Sequence, residues 1–354
     1  MELADLRKHV DELDAQIVRL INERARVACE IGKLKAKGND AAYVPARQQA
    51  VYDNISALNE GPLPDSCFTA VYREIMSGCL ALETPLRVAY LGPEGTFTHR
   101  AGLANFGSSV QYASVATIDE VFGEVERGRA AYGVVPVENS TGGGIHETLT
   151  RFLESPLKVC AEVLLEIHHA LMARCQASAV KRIYSRGQVF SQTRQWLQTH
   201  MPGAELFEVS STSVAAQRAA EEEGSAAIAD ASLAPSHGLK VLADHIEDYS
   251  HNVTRFFIVG THVSQPTGDD KTAVLCSVRD KVGALYHLLT PFTQHDINMT
   301  KIESFPSPTA AWQYYFFIDF VGHPDEDKTR LALQKMEAEC VTFKVLGAFP
   351  RCRS

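Results

Sequence analysis

Four short stretches carry side chains able to do chemistry together. In HNVTRF (residues 251–256) a hydroxyl, a guanidinium and an aromatic ring, those of Thr254, Arg255 and Phe256, stand in consecutive positions. PVENSTGGG (136–144) offers an acid, an amide and a hydroxyl, Glu138, Asn139 and Ser140, ahead of three glycines. GPEGTFT (92–98) and SRGQVFSQ (185–192) place small and polar residues where a strand turns into a helix. Such turns let backbone N–H groups approach an anion, and the helices behind them add a favourable dipole. The set suits a small anionic substrate, with a hydroxyl and a carboxyl at hand for proton transfer. GPEGTFT is neither a P-loop, lacking GK[ST], nor a GxGxxG dinucleotide fingerprint. Taken alone, RFFIVG (255–260) also reads as a buried strand, and Thr254-Arg255 as no more than its beginning.

Two similar halves must position these loops. Strand 86–91, helix 96–106, strand 110–113, helix 117–127 and strand 130–135 form one set. Strand 180–185, helix 189–200, strand 205–209, helix 212–223 and strand 226–229 form the other. They align without gaps at an offset of 96 residues, pairing Thr117-Ile118 with Ser213-Val214, Glu126 with Glu222, Gly128 with Gly224 and Ala130-Ala131 with Ala226-Ala227. Thr117 and Glu120 read as a capping box. Two βαβαβ units predict two α/β lobes facing each other, with ligands beyond the carboxyl ends of the strands. LADHIEDYSHNVTRFFIVG follows the second lobe, so it is expected to cross back at the hinge, where it can meet ligand as the lobes close.

Ahead of the lobes, apolar residues at 3, 6, 10, 13, 17, 20, 27, 31 and 34 mark the stripe of one long helix. From Leu3 to Lys35 it spans about 50 Å, too long for a compact unit to cover, so a partner chain is the simplest cover. Arg24 interrupts the stripe, and Lys35 follows on almost the same face. A buried guanidinium needs an anion, either a ligand or an internal acid such as Glu23 or Glu30. YVPAR starts a second helix, with Pro45 in its first turn and Arg47 just inside. A third, CFTAVYREIMSGCLALE, carries Cys79 and Glu83 one turn apart on its apolar side. A cavity lined by Arg24, Lys35, Arg47 and Glu83 suits a small dicarboxylate and holds no nucleophile.

After the polar linker SQPTGDDK (264–271) come strand, helix, two strands, helix and strand, a βαββαβ order. The chain therefore divides into three domains, 1–85, 86–263 and 271–354: all-α, two-lobed α/β, and α+β ferredoxin-like. At 354 residues and 45% apolar content, it is long enough for several cores. A formal charge of −9 without a long basic run argues against nucleic acid. Eight scattered cysteines with no CxxC pair and no zinc-like spacing read as reduced thiols in a cytoplasm, with no metal site. No run approaches about 18 apolar residues and MELADLRKHV lacks a signal core, so neither membrane nor export is expected.

Residues 3–83 resemble the all-helical chorismate mutase domain. The likeness rests on LRKHVDELDAQIVRLINERARVACEIGKLK and its Arg-x(16)-Arg-x(10)-Lys spacing of Arg7, Arg24 and Lys35. It implies long helices intertwined in a homodimer, with Arg7 reaching into the neighbour's site, and a pericyclic rearrangement of chorismate to prephenate. That reaction needs a compact conformer and positive charge beside the breaking ether bond, not a covalent catalyst. Arg7 and Arg24 would hold carboxylates, and Lys35 would face the ether oxygen. Val44, Arg47, Gln48, Cys79 and Glu83 complete the implied site. The family often has an acid at the Val44 position, Glu at Gln48, Ser at Cys79 and Gln at Glu83. Gln48 could still bond the substrate hydroxyl. Glu83 donates to the ether oxygen only when protonated, so mutase activity is expected to fall as pH rises.

YLGPEGTFT, GVVPVENSTGG and NVTRF together resemble prephenate dehydratase, over residues 86 to about 262. The resemblance implies a two-lobed, periplasmic-binding-like fold whose cleft is lined by Glu138, Asn139, Ser140, Ser185, Gln192, Thr254, Arg255 and Phe256. SRGQ stands where the family usually has SHPQ, which leaves Arg186 and Gly187 unassigned. Prephenate is a dianion that becomes aromatic on losing CO2 and its ring hydroxyl, with no metal or organic cofactor. Arg255 and loop N–H groups are expected to bind carboxylate and Phe256 to pack the ring. Thr254 would hydrogen-bond the leaving hydroxyl, with a proton relayed from an acid such as Glu138.

GALYHLL (283–289) and INMTKIESF (297–305) resemble the ACT regulatory domain. That implies an L-phenylalanine site between subunits at Gly283, Ala284, Leu285, Asn298, Glu303 and Ser304, with Phe305 replacing the usual Arg of ESRP. The whole reads as a dimeric chorismate mutase and prephenate dehydratase of phenylalanine biosynthesis, sensing its end product. Two alternatives stand: a dehydratase whose mutase domain is weak or purely structural, and a two-lobed sensor without catalysis. Assembly beyond the dimer stays open.

Overall fold

A computed structural model of the chain describes residues 2–38, 41, 43–83, 85–140, 142–249, 251–307 and 313–352. Thr84, at the expected first boundary, and Thr141, in the glycine-rich loop, lie outside the described residues.

The N-terminal unit consists of α1 (Leu3–Gly38), α2 (Pro45–Leu58) and α3 (Asp65–Glu83). Helix α1 runs 36 residues, about 54 Å. Its stripe finds no cover among the described residues: Leu6, Val10, Leu13, Ile17, Leu20, Val27, Ile31 and Leu34 are all exposed. The other two helices dock on the next unit. The Ser77 hydroxyl accepts from the Ser109 N–H (2.9 Å), and Glu74 accepts from that of Ser108 (2.9 Å).

The first lobe comprises β1 (Arg87–Leu91), α4 (Phe97–Phe106), β2 (Gln111–Val115), α5 (Ile118–Glu126), β3 (Tyr132–Asn139), β4 (Gly143–Gly144), α6 (His146–Glu154) and β5 (Lys158–Glu166). The second holds β6 (Ala170–Ala173), β7 (Arg182–Ser185), α7 (Gly187–Gln192), α8 (Arg194–His200), β8 (Glu205–Glu208), α9 (Thr212–Glu221), β9 (Ser225–Ala229), α10 (Leu233–Ser236) and β10 (Lys240–Ala243). The chain then crosses back, as expected, and β11 (Val253–Gly260) enters the first sheet between β3 and β5. The two sheets run β2-β1-β3-β11-β5 and β10-β6-β9-β7-β8.

Two details depart from the sequence reading. The helix expected at 189–200 breaks at Thr193, whose hydroxyl donates to the Val189 carbonyl (2.9 Å). Asp248 then caps the second piece, accepting from the N–H groups of Gln195 (3.0 Å) and Trp196 (3.1 Å). The repeat is also not gapless. Thr117 caps α5, but Ser211 rather than Ser213 caps α9. Gly128 and Gly224 do correspond, both left-handed with φ of 69° and 70°.

The last unit is β12 (Asp270–Val278), α11 (Ala284–Gln294), β13 (Met299–Pro306), β14 (Tyr314–Val321), α12 (Asp327–Glu339) and β15 (Cys340–Pro350), in an antiparallel sheet of order β13-β14-β12-β15. Both helices cover one face. The other, with Leu275, Phe305, Phe317, Leu346 and Phe349, packs into the first lobe against Phe152, Val159 and Phe257. The two units thus share a core. A Cβ at Gly347 would lie 2.2 Å from the Val159 carbonyl oxygen, so only glycine lets β15 approach β5 this closely.

Candidate active site

Strand alternation decides which side chains meet in the cleft between the lobes. On β11, Thr254 and Phe256 face the cleft while Arg255 and Phe257 face the opposite side. On β3, paired antiparallel with it, Asn139 faces the cleft and Glu138 the opposite side. The cleft encloses about 830 Å³. Thr96, Asn139, Thr254 and Phe256 contribute from the first lobe, and Arg186, Gln192, Ser211 and Thr212 from the second. Three helix caps, Thr96, Thr117 and Ser211, line it, so the positive ends of α4, α5 and α9 point toward a bound anion.

Asn139 organises the floor. The Gly142 N–H donates to its Oδ1 (3.0 Å), which fixes the amide orientation. Its Nδ2 then donates to Asn252 Oδ1 (2.8 Å) and to Thr254 Oγ1 (2.8 Å). Thr254 is therefore an acceptor toward Asn139, and its O–H is directed to other partners. A pre-oriented donor beside the Phe256 ring results.

His169, at the crossing from β5 to β6, was not singled out in the sequence. It lines the cleft with its Nε2 2.9 Å from Gln192 Oε1. Its Nδ1 is buried without a partner. A buried N–H without an acceptor is costly, so the proton sits on Nε2 and donates to Gln192. Burial pushes the imidazole below its usual pKa, keeping it neutral. The ring thus holds the Gln192 oxygen toward itself.

Four expected cleft residues lie elsewhere. Arg255 is buried in an ion cluster: Nε and Nη2 reach Glu162 (2.8 and 2.7 Å), and Nη1 pairs with Asp319 of the C-terminal unit. Lys271 joins at Glu162 (3.0 Å). Burial pulls the Arg255 pKa down, but the carboxylates of Asp319 and Glu162 outweigh it and hold the guanidinium above its ordinary value. Glu138 pairs with Lys301 (2.8 Å), so it is no proton relay to Thr254. Ser140 accepts from the Val253 N–H (3.0 Å) and donates to the His251 carbonyl (2.9 Å), tying the loop to β11. Ser185 is fully buried and donates to the Ile228 carbonyl (2.7 Å). Both hydroxyls are engaged by backbone.

In the helical unit, Arg24, Lys35, Cys79 and Glu83 gather between α1 and α3. Arg24 Nη1 lies 3.5 Å from Cys79 Sγ. Burial raises the Glu83 carboxyl against the pull of Lys35, and its Oε2 is buried without a hydrogen-bond partner. Arg7 is exposed and sits about 25 Å along α1 from Arg24, beyond reach of this site. Val44 caps α2, and Arg47 is exposed in its first turn. Gln48 departs from expectation: its amide accepts from Tyr43 (2.8 Å) and donates to the Asn105 carbonyl of α4 (2.9 Å). It is held by the neighbouring unit rather than by the Arg24 cluster.

Among the six expected effector residues, Gly283 adopts a left-handed φ of 77° ahead of α11, followed by Ala284, buried, and Leu285, exposed. Asn298 and Ser304 are exposed. Glu303 turns the other way, toward the first lobe, where it meets Lys301 (2.8 Å) and His146 (3.2 Å). Alternation along β13 explains this, since Lys301, Glu303 and Phe305 share the interdomain side. Phe305, 1% exposed, stacks on His146 and Tyr315.

Residues 6–84 match the chorismate mutase type II family, 88–264 the prephenate dehydratase family and 272–338 the ACT domain. A bifunctional chorismate mutase/prephenate dehydratase from Stutzerimonas stutzeri is 47% identical over 99% of this chain and 98% of its own length. One from Aquifex aeolicus is 43% identical over the same shares. A solved prephenate dehydratase from Arthrobacter aurescens, in complex with L-Phe, superposes with a TM-score of 0.70 at 32% identity, covering 75% of this chain and 90% of that one. The chain belongs to the bifunctional chorismate mutase/prephenate dehydratase family.

Proposed function

We propose that the helical domain rearranges chorismate to prephenate and that the two-lobed domain converts prephenate to phenylpyruvate, with L-phenylalanine acting on the ACT domain as feedback inhibitor. The hydrogen bond from Asn139 to Thr254 carries the dehydratase reading. As the ring carboxylate leaves as CO2, its bonding electrons enter the ring and expel the hydroxyl at the far carbon, which takes up a proton to leave as water. The departing oxygen gains negative charge, and a fixed O–H donor at that point stabilises it. The Thr254 hydroxyl is such a donor. Phe256 packs the carbocycle and excludes water, while the helix ends facing the cleft favour the dianion.

For the mutase, Arg24 supplies a carboxylate contact, and Lys35 with protonated Glu83 acts at the ether oxygen. Arg7 would complete the site of a second copy, whose α1 covers the exposed stripe in a homodimer. At the effector site, N–H groups at the left-handed start of α11 would receive the amino acid carboxylate. Inhibition requires that L-phenylalanine bind the less active state better.

Following phenylpyruvate absorbance after mixing protein with prephenate tests the dehydratase, and no turnover by the wild-type chain would refute it. Chorismate consumption tests the mutase and separates it from a domain that only dimerises.

A further inference from the structure

The cleft must hold a dianion, yet Arg255 is committed to Glu162 and Asp319 on the other side of its strand. Among the described residues lining the cleft, Arg186 is the one Arg or Lys. His169 is kept neutral by burial, and the remaining charged side chain there, Glu147, has the wrong sign for an anion. Arg186 lies between β7 and α7, where its carbonyl accepts from the N–H groups of Val189 (3.0 Å) and Phe190 (3.1 Å). The backbone is thus anchored, while the guanidinium is exposed and enters no ion pair or hydrogen bond among the described residues. It stands on the second lobe, whereas Asn139, Thr254 and Phe256 stand on the first.

We propose that Arg186 is the carboxylate-recognition residue of the dehydratase cleft and that it holds the side-chain carboxylate retained in phenylpyruvate, not the ring carboxylate that departs. This rests on the dehydratase reading of the cleft. The ring carboxylate sheds its charge on the way to CO2, so a cation bound to it stabilises the ground state more than the transition state. A cation on the retained carboxylate binds both states equally and holds the substrate across the two lobes, with the ring against Phe256 and the leaving hydroxyl at Thr254.

Such uniform binding appears in KM rather than kcat. Arg186→Gln should raise the KM for prephenate about 10- to 150-fold, the span of a charge-assisted hydrogen bond, with kcat within about threefold. Arg186→Lys should recover part of the loss. Phenylpyruvate carries only the retained carboxylate, so its product inhibition should weaken by the same factor. Mutase turnover and thermal midpoint should stay unchanged, because the side chain is exposed. An unchanged KM in Arg186→Gln overturns the proposal. So does a raised KM with unaltered phenylpyruvate inhibition, which would put the guanidinium on the departing carboxylate. A parallel fall of mutase turnover and midpoint would mean a structural role and also overturn it. If the wild-type chain does not turn prephenate over, the dehydratase reading fails first, a result distinct from all of these.

Discussion

Arg255 pairs with Asp319 across the boundary between the dehydratase and ACT domains, while Thr254, the residue before it, faces the cleft. Removing the guanidinium strands Asp319 as a buried carboxylate and leaves Glu162 to Lys271 alone among the cations. Breaking a buried pair from one side costs about 3–5 kcal/mol. Arg255→Ala should therefore lower the unfolding free energy measured by urea titration by that amount and loosen the ACT domain, which limited proteolysis of the linker would reveal. A variant of wild-type stability whose only defect is a raised KM would place Arg255 in the cleft after all.

Thr254 gives the opposite pattern. Thr254→Ala should lower dehydratase kcat by about 10²- to 10³-fold, the usual cost of one donor to a developing oxyanion, at unchanged stability. Thr254→Ser keeps the hydroxyl and should keep most of the rate. Steady-state assays on prephenate decide.

The mutase should be pH-dependent through Glu83, whose carboxyl is raised by burial against the pull of Lys35. Only the protonated form can donate to the ether oxygen. Activity should thus be full below the raised pKa and fall as pH climbs through it. Glu83→Gln donates at every pH and should flatten that limb of kcat/KM.

Stability should have its own acid limb. Burial lowers the pKa of His99, His169 and His262. A group with a depressed folded pKa contributes stability above its unfolded value, about 6.5 for histidine, which is lost as pH falls toward the folded value. Urea midpoints should drop between pH 7 and pH 5, before most carboxylates titrate. An unchanged midpoint over that window would contradict neutral buried imidazoles.

The exposed α1 stripe predicts that Leu13→Glu with Ile17→Glu yields monomers without mutase activity. Dehydratase turnover, which uses residues of one chain, should persist. Light scattering alongside both assays checks this.

Much of the architecture was legible because periodicity and turn chemistry report local structure: Pro45 opens α2, Thr117 caps α5, and Gly128 and Gly224 end matching helices. The direction of side chains on β3 and β11 was not. Both strands are apolar on two faces, so nothing in VENS or TRF says which neighbour meets solvent and which meets another domain. Glu138 and Arg255 were misplaced for that single reason. His169 escaped notice because a lone histidine at a crossing gives no signal until Gln192 is beside it. Phe305 was the visible clue, an aromatic at an Arg position, and its burial against His146 shows that this face of β13 belongs to an interface.

The shared core bears on how an uninhibited enzyme can be made. Cutting the chain ahead of Asp270 would remove Asp319 and Lys271 from beside Arg255 and Glu162, and would bare Phe257 and Phe152 to water. A shortened protein should then precipitate rather than escape feedback. Desensitisation is better sought by point changes at Leu285 or Ser304, on surfaces that leave this seam closed.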